Sequence, residues 1–268
     1  MARATNHPRS PRKTGSSTGP IAHNSEAVDN YLKAIFWLGG SEERRVATHE
    51  IAGHLRITTA SVTNMLQKLA AMHPPLVTYE KHHGVQLAER GKVRAREVVR
   101  HHRLLETFLH DVLGYEWDEV HPEAERLEHF ISEKFEERIA AKLGNPQFDP
   151  HGHVIPALDG SMPQIEQMTV RQLAPSQRAT VVSVSDKDPE MLRHLALQGI
   201  RPGTVLTVVE QLPFDGPLRV RIGSSKSEAL LSLPLTQAVS VSLVDGNAGK
   251  GNAGKPLRNL RKTEATNR

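Results

Sequence analysis

Residues 48–72, THEIAGHLRITTASVTNMLQKLAAM, decide how the N-terminal part of this chain folds. A short helical period, THEIAGHL, is followed by a turn at Arg56-Ile57-Thr58 and by a second helix that Pro74-Pro75 must stop, because proline donates no N–H and clashes with the preceding turn. Thr58 is a ready N-cap. Val62, Met65, Leu66 and Leu69 share one side of this second helix, to be packed. Thr58, Thr59, Ser61, Thr63 and Asn64 fill its first two turns with the short donors and acceptors that suit base edges in a major groove. An ordinary helix with polar first turns is the competing reading.

The neighbouring segments narrow the choice. Upstream, Val28, Leu32, Ile35 and Phe36 have helical spacing over Ser25–Leu38, with Asn24 or Ser25 as N-cap and Gly39-Gly40 as the stop. Downstream, LVTYEKHHGVQLAERG (76–91) reads as a hairpin turning at His82-His83-Gly84. Helix, helix, turn, helix, hairpin is the order of a winged helix-turn-helix. Lys68, Lys81 and His82 are placed to approach phosphates beside the reading helix.

Two longer helices follow, one through KVRAREVVRHHRLLETFLHDVLG (92–114) and one from Asp118 to Gly144. Their apolar positions exceed what a small winged helix covers, which points to dimerisation, the usual arrangement on paired DNA half-sites. NPQFDPHGHVIPALDGSMP (145–163) reads as linker, and short β-rich runs with one helix at DPEMLRHLALQG (188–199) then make a small β-barrel. The expected fold class is mainly α with a small β domain. Its divisions are a basic tail (1–23), a winged helix-turn-helix (24–92), a helical metal-binding and dimerisation domain (93–145), a linker (146–176), an SH3-like domain (177–244) and a second basic tail (245–268).

Composition limits the chemistry. The net charge of +4 belongs to the tails: four basic residues and no acid fall in 1–23, and six basic against two acidic in 245–268, so the middle is slightly acidic. Both tails are rich in Gly, Ser, Pro and Asn and are expected not to fold. No run of 18 apolar residues occurs and the N-terminus lacks the apolar middle of a secretory signal, so a cytoplasmic protein with no membrane partner is expected. The absence of cysteine excludes disulfides, thiolate zinc sites and Fe–S clusters, leaving N and O donors for any metal.

Those donors are concentrated in HPEAERLEHF (121–130). At about 100° per residue, His121, Glu125, Glu128 and His129 fall on one helix face, opposite Leu127, Phe130, Ile131 and Phe135. His102 and Glu106, spaced i, i+4, present a second pair from the preceding helix. Carboxylate and imidazole without thiolate suit Mn2+ first, Fe2+ next, with Zn2+ or Co2+ able to substitute in vitro. A solvated helix face is the bland alternative, and helical bundles also build di-metal oxidases from Glu and His. Those enzymes need Glu-x-x-His on two helices, and only one dense segment is present here. A regulator whose His/Glu set is merely structural stays open as a further reading.

The winged helix, HPEAERLEHF, the HGHVIP linker and the terminal β domain together resemble the diphtheria toxin repressor family of metal-dependent transcriptional regulators, over about residues 24–243. The resemblance implies a non-enzymatic repressor of manganese or iron homeostasis genes, a homodimer on double-stranded operator DNA. It implies a primary metal set at Glu125, Glu128, His129 and Asn30, with Asp29 as substitute for the neutral Asn30. Glu at 125, where the iron-sensing branch has Cys, places the chain nearer the manganese regulators, although some of those carry Glu where Lys33 stands. It implies an ancillary set at His102, Glu106 and His121, completed from the terminal domain by Asp188, with Glu190 or Met191 as weaker choices. His151 and His153 stay outside both sets, His49 and His54 read as surface residues, and Trp37, Trp117 and Tyr31 as packing aromatics.

Overall fold

A computed structural model describes residues 22–40, 44–163, 165–224 and 227–244, with the side chains of 22–25 left out. The basic tails lie outside the described residues except for Ala22 and His23, which open the first helix. Helix α1 spans Ala22–Gly39, α2 Thr48–Leu55 and α3 Thr59–Ala70, followed by strands β1 (Val77–Glu80) and β2 (Gly84–Leu87). Because α1 begins at Ala22, Asn24 and Ser25 lie in its first turn and do not precede it; helix ends are the least sharply defined feature of a sequence pattern.

The helix-turn-helix forms for local reasons. Arg56 closes α2 in a left-handed conformation (φ 55), and the Thr58 hydroxyl accepts from Ser61 N at 3.2 Å to open α3. Val62, Leu66 and Leu69 are fully buried among Leu32, Ile35, Ile51 and Val85, so packing settles the inward face of α3. Gly84 is required where the wing turns: its φ is +90, and a Cβ there would meet Val46 O at 2.6 Å. Val46 in turn bridges Val85, tying the wing to the segment before α2.

Helix α4 (Glu89–Asp111) is the spine of the molecule. It starts before Gly91, not after it, and Gly91 admits Leu76 O so closely that a Cβ would lie 1.9 Å from that oxygen. The helix expected from Asp118 to Gly144 is two helices, α5 (Val120–Leu127) and α6 (Glu133–Lys142). Ser132 makes the break: its backbone is extended and its hydroxyl accepts from Phe135 N at 3.3 Å as the cap of α6.

The C-terminal unit holds β3 (Met168–Thr169), β4 (Arg178–Val184), α7 (Pro189–Leu197), β5 (Val205–Gln211), β6 (Leu218–Ile222), β7 (Glu228–Leu231), α8 (Leu233–Ala238) and β8 (Val239–Leu243). The strands form one sheet in the order β3-β8-β4-β5-β6-β7, with every neighbouring pair antiparallel. Strands β3 and β7 do not pair with each other among the described residues, so hydrogen bonds do not close a barrel; α8 packs against both of these edge strands instead. Trp117, from the loop between α4 and α5, is buried in the core of this sheet unit and joins it to the helices.

The linker is docked. Asp149, His151 and Ile155 are buried. Arg100 Nη1 donates to Pro156 O at 2.7 Å, and Trp117 Nε1 to Pro150 O at 2.9 Å. On the other side Val184 N donates to His151 O at 2.9 Å. Gly152, with φ +87, lies so close to Val182 O that a Cβ would stand 2.0 Å from it. The segment between helices and sheet therefore has a fixed course, which bears on the site.

Candidate metal centre

Side chains from α1, α4, α5 and the turn after it, the linker and the loop after β4 converge between the helices and the sheet unit. Helix α4 supplies His102 and Glu106, at 1% and 0% exposure, positions that a long helix exposes only if nothing packs over it. His102 Nε2 lies 3.0 Å from Glu106 Oε1 and 3.1 Å from His121 Nδ1, and His121 Nδ1 lies 3.1 Å from Glu106 Oε1. These three expected ancillary residues meet at one point.

Asn30, Glu128 and His129 meet at a second. His129 Nε2 is 3.0 Å from Asn30 Oδ1 and 3.2 Å from Glu128 Oε1. Asp29 is held differently: its Oδ1 accepts from Arg94 Nε at 2.6 Å, while Oδ2 stands 3.8 Å from His129 Nδ1. The end of α5 explains the geometry. Glu128 and His129 lie in the turn that follows Leu127, which points them back at α1 and α4. Glu125, still on α5, has Oε1 2.8 Å from Lys33 Nζ, and the same ammonium contacts Glu128 Oε1.

Asp188 goes elsewhere. It caps α7, accepting from Glu190 N at 2.9 Å and Met191 N at 3.3 Å, and is exposed. Glu190 is exposed as well, and Met191 packs on the sheet core. Asp186, two residues earlier, is the acid that faces the helices, its Oδ2 3.7 Å from His121 Nδ1 and 3.6 Å from His153 Nδ1. The linker adds His151, whose Nδ1 is 3.8 Å from Glu106 Oε2, and Asp149, whose Oδ2 is 3.3 Å from His153 Nδ1. Reading the sequence passed over Asp186 and Asp149 and set His151 and His153 aside; the density of His and Asp in DPHGH was the available signal.

Electrostatics favours cations here. Burial alone would lower the His102 pKa, but Glu106 and then Glu128 outweigh it and lift it to about 10. His151 is likewise disfavoured as imidazolium by burial and yet raised to about 9 by Glu106, Asp149 and Asp186. Burial pushes Glu106 up, and His102, His121 and His151 more than reverse this, holding it well below the usual carboxylate range. The cluster thus gathers protons onto His102 and His151.

The donor set fits a divalent ion. His151 Nε2 donates to Trp117 O at 2.9 Å, which turns Nδ1 toward Glu106. Both that Nδ1 and Glu106 Oε2 are buried without hydrogen-bond partners. Two such buried atoms, 3.8 Å apart, are placed to share a cation between them. His102, Glu106 and His121, and also Glu106, His151 and Asp186, each present ligand atoms within 4.8 Å of one another.

The side chains expected to face DNA are mostly exposed. Thr58, Thr59, Ser61, Asn64 and Lys68 on α3, and Lys81 and His82 on the wing, are exposed; Thr63 is half-buried, its hydroxyl donating back to Thr59 O at 3.0 Å.

A winged helix-turn-helix tied through α1 to a buried His/Glu/Asp cluster defines a DNA-binding fold with a candidate metal centre beside it. Residues 23–85 match the N-terminal DNA binding domain of iron dependent repressors, residues 88–157 their metal binding and dimerisation domain, and residues 168–243 the FeoA domain. The diphtheria toxin repressor of Corynebacterium jeikeium is 31% identical over 210 residues, covering 69% of this chain and 85% of that protein. The iron-dependent repressor IdeR of Mycobacterium tuberculosis is 36% identical over 135 residues, 50% of this chain and 56% of that protein, so the chain aligns with just over half the length of that relative. Among solved structures, a manganese-dependent transcriptional repressor in complex with manganese is 38% identical with a TM-score of 0.75, over 81% of this chain and all (100%) of the other. The chain belongs to the diphtheria toxin repressor family of iron-dependent repressors.

Proposed function

We propose that this chain is a metal-activated transcriptional repressor that binds double-stranded operator DNA as a homodimer, with Mn2+ as its activating ion. The observation that carries the reading is the junction at Asn30: this residue of α1, a helix of the winged-helix unit, meets His129 of the helical unit, which in turn faces Glu128. When bound, a divalent ion supplies positive charge and a cross-link among side chains of separate elements. Asn30, Glu125, Glu128 and His129 would hold one ion. His102, Glu106, His121, His151 and Asp186 would hold another, joining α4, α5, the linker and the SH3-like sheet domain. Whatever fixes α1 against α4 and α5 fixes the direction of α3, so occupancy selects the orientation in which two α3 helices reach successive major grooves.

Oxygen and imidazole donors without thiolate or thioether favour Mn2+ over softer ions, with Fe2+ as the second choice and Zn2+ or Co2+ as substitutes in vitro. Thr58, Thr59, Ser61, Thr63 and Asn64 read bases, while Lys68, Lys81 and His82 approach phosphates. The dimer forms through apolar side chains exposed at the ends of α4 and α5 and in α6, Val112, Leu113, Leu127, Phe130 and Phe135, the last two at 77% and 47% exposure. The reading is of a regulator, not an enzyme, and what supports it is the match to a DNA binding domain followed by a metal binding and dimerisation domain. Footprinting on the DNA upstream of the chain's own gene tests it. Protection that needs Mn2+ and is lost with chelator is expected; protection indifferent to both contradicts it.

A further inference from the structure

We propose that Lys33 is a tethered cation which a divalent ion must displace from the Glu125–Glu128 carboxylates, so that this lysine sets the ion concentration at which the Asn30–Glu125–Glu128–His129 set fills. The inference rests on the reading of those four residues as a metal set. Lys33 is 3% exposed, an uncommon place for a lysine, which is almost never fully buried unless paired. Its Nζ stands 2.8 Å from Glu125 Oε1, contacts Glu128 Oε1, and lies 4.9 Å from the centre of the Trp37 ring. Glu128 Oε1 is also the oxygen 3.2 Å from His129 Nε2.

An ion drawing on Glu125 and Glu128 together would use the oxygens the ammonium already holds. Two positive centres cannot share that space, because their repulsion in a buried site is far stronger than in water. The lysine answers the demand for charge that removal of the ion would otherwise leave, since a buried carboxylate without a partner is strongly destabilising. Its flexible four-carbon stem lets it yield, and the Trp37 face offers the ammonium a second contact within the range of a cation–π interaction. Lys33 therefore contributes to metal response without being a ligand.

The test is Mn2+ titration of the full-length chain, followed by the electron paramagnetic resonance signal of free Mn2+, for wild type, Lys33→Gln, Lys33→Met and Lys33→Arg. Removing the charge in Lys33→Gln is expected to tighten the Glu125-dependent site at least tenfold, with Lys33→Met repeating the result should the glutamine variant fold poorly. Lys33→Arg, which keeps the charge, is expected to stay near wild type. Equal or weaker binding in the folded neutral variants overturns the role of Lys33 alone. Mn2+ binding that Glu125→Gln leaves unchanged in wild type and variants overturns the metal set itself and the proposal with it.

Discussion

His102 Nδ1 lies 2.6 Å from Glu128 Oε2, and this contact joins two candidate ligand sets that the sequence presents as separate. Glu128 faces Lys33 and His129 with its other oxygen, and His102 faces Glu106 and His121 with its other nitrogen. A change at either set is therefore felt at the other through a buried hydrogen bond.

Glu128→Gln is expected to weaken Mn2+ binding at both sets, about 10- to 100-fold at the one where it acts only as a supporting hydrogen-bond partner. Calorimetric titration checks this: two weakened sites are expected, against one if the sets were independent.

Protons and metal compete for the histidines. With His102 at about 10 and His151 at about 9, both above an ordinary value of 6.5, these two histidines hold their protons at neutral pH in the metal-free cluster. Binding must release those protons, so Mn2+ affinity rises with pH through the neutral range. For the metal-free fold the sign is opposite. Raised histidine pKa values contribute stability that is complete below about pH 6.5 and is lost as pH climbs through 9 and 10. Melting curves of the metal-free chain should fall across that window, and titrations in buffers of different ionisation enthalpy should report proton release.

Gly152→Ala is expected to lower Mn2+ affinity at the His102–Glu106–His121 set more than tenfold while leaving α3 and the wing folded. The added methyl cannot fit 2.0 Å from Val182 O at φ +87, so the linker must shift and carry His151 from Glu106. Metal titration beside circular dichroism separates this from general unfolding.

On α3, Asn64→Ala should cost about 1–3 kcal/mol of operator binding and relax preference at one base pair, whereas Lys68→Ala should weaken all sequences alike and reduce the salt slope by about one. Binding measured on matched and scrambled DNA over a salt series distinguishes the two.

The residues that were legible in the sequence are those whose pattern is local. Val62, Leu66 and Leu69 announce the buried side of α3, and His102 and Glu106, one turn apart, announce a shared face of α4, whereas His121 lies on another helix and is joined to them only by the family resemblance. The break between α5 and α6 was not legible, because the apolar phase runs on through Phe130, Ile131 and Phe135 and a single serine, Ser132, decides it. Asp186 and Asp188 both precede Pro189; capping claims the second, a preference that only the course of the loop reveals. Nothing local in the sequence marks Lys33 as buried; its burial depends on Glu125 and Glu128, more than ninety positions away, being brought against it. Strand β7 and helix α8 are too short for periodicity to separate them.

Coupling between metal and DNA is the central claim, and thermodynamic linkage makes it measurable from either side. The most direct measurement is the Mn2+ affinity of the full-length chain with and without saturating operator DNA. Operator should tighten Mn2+ binding by the same factor, roughly 5- to 150-fold, by which Mn2+ tightens operator binding. An Mn2+ affinity that operator DNA leaves unchanged would contradict it.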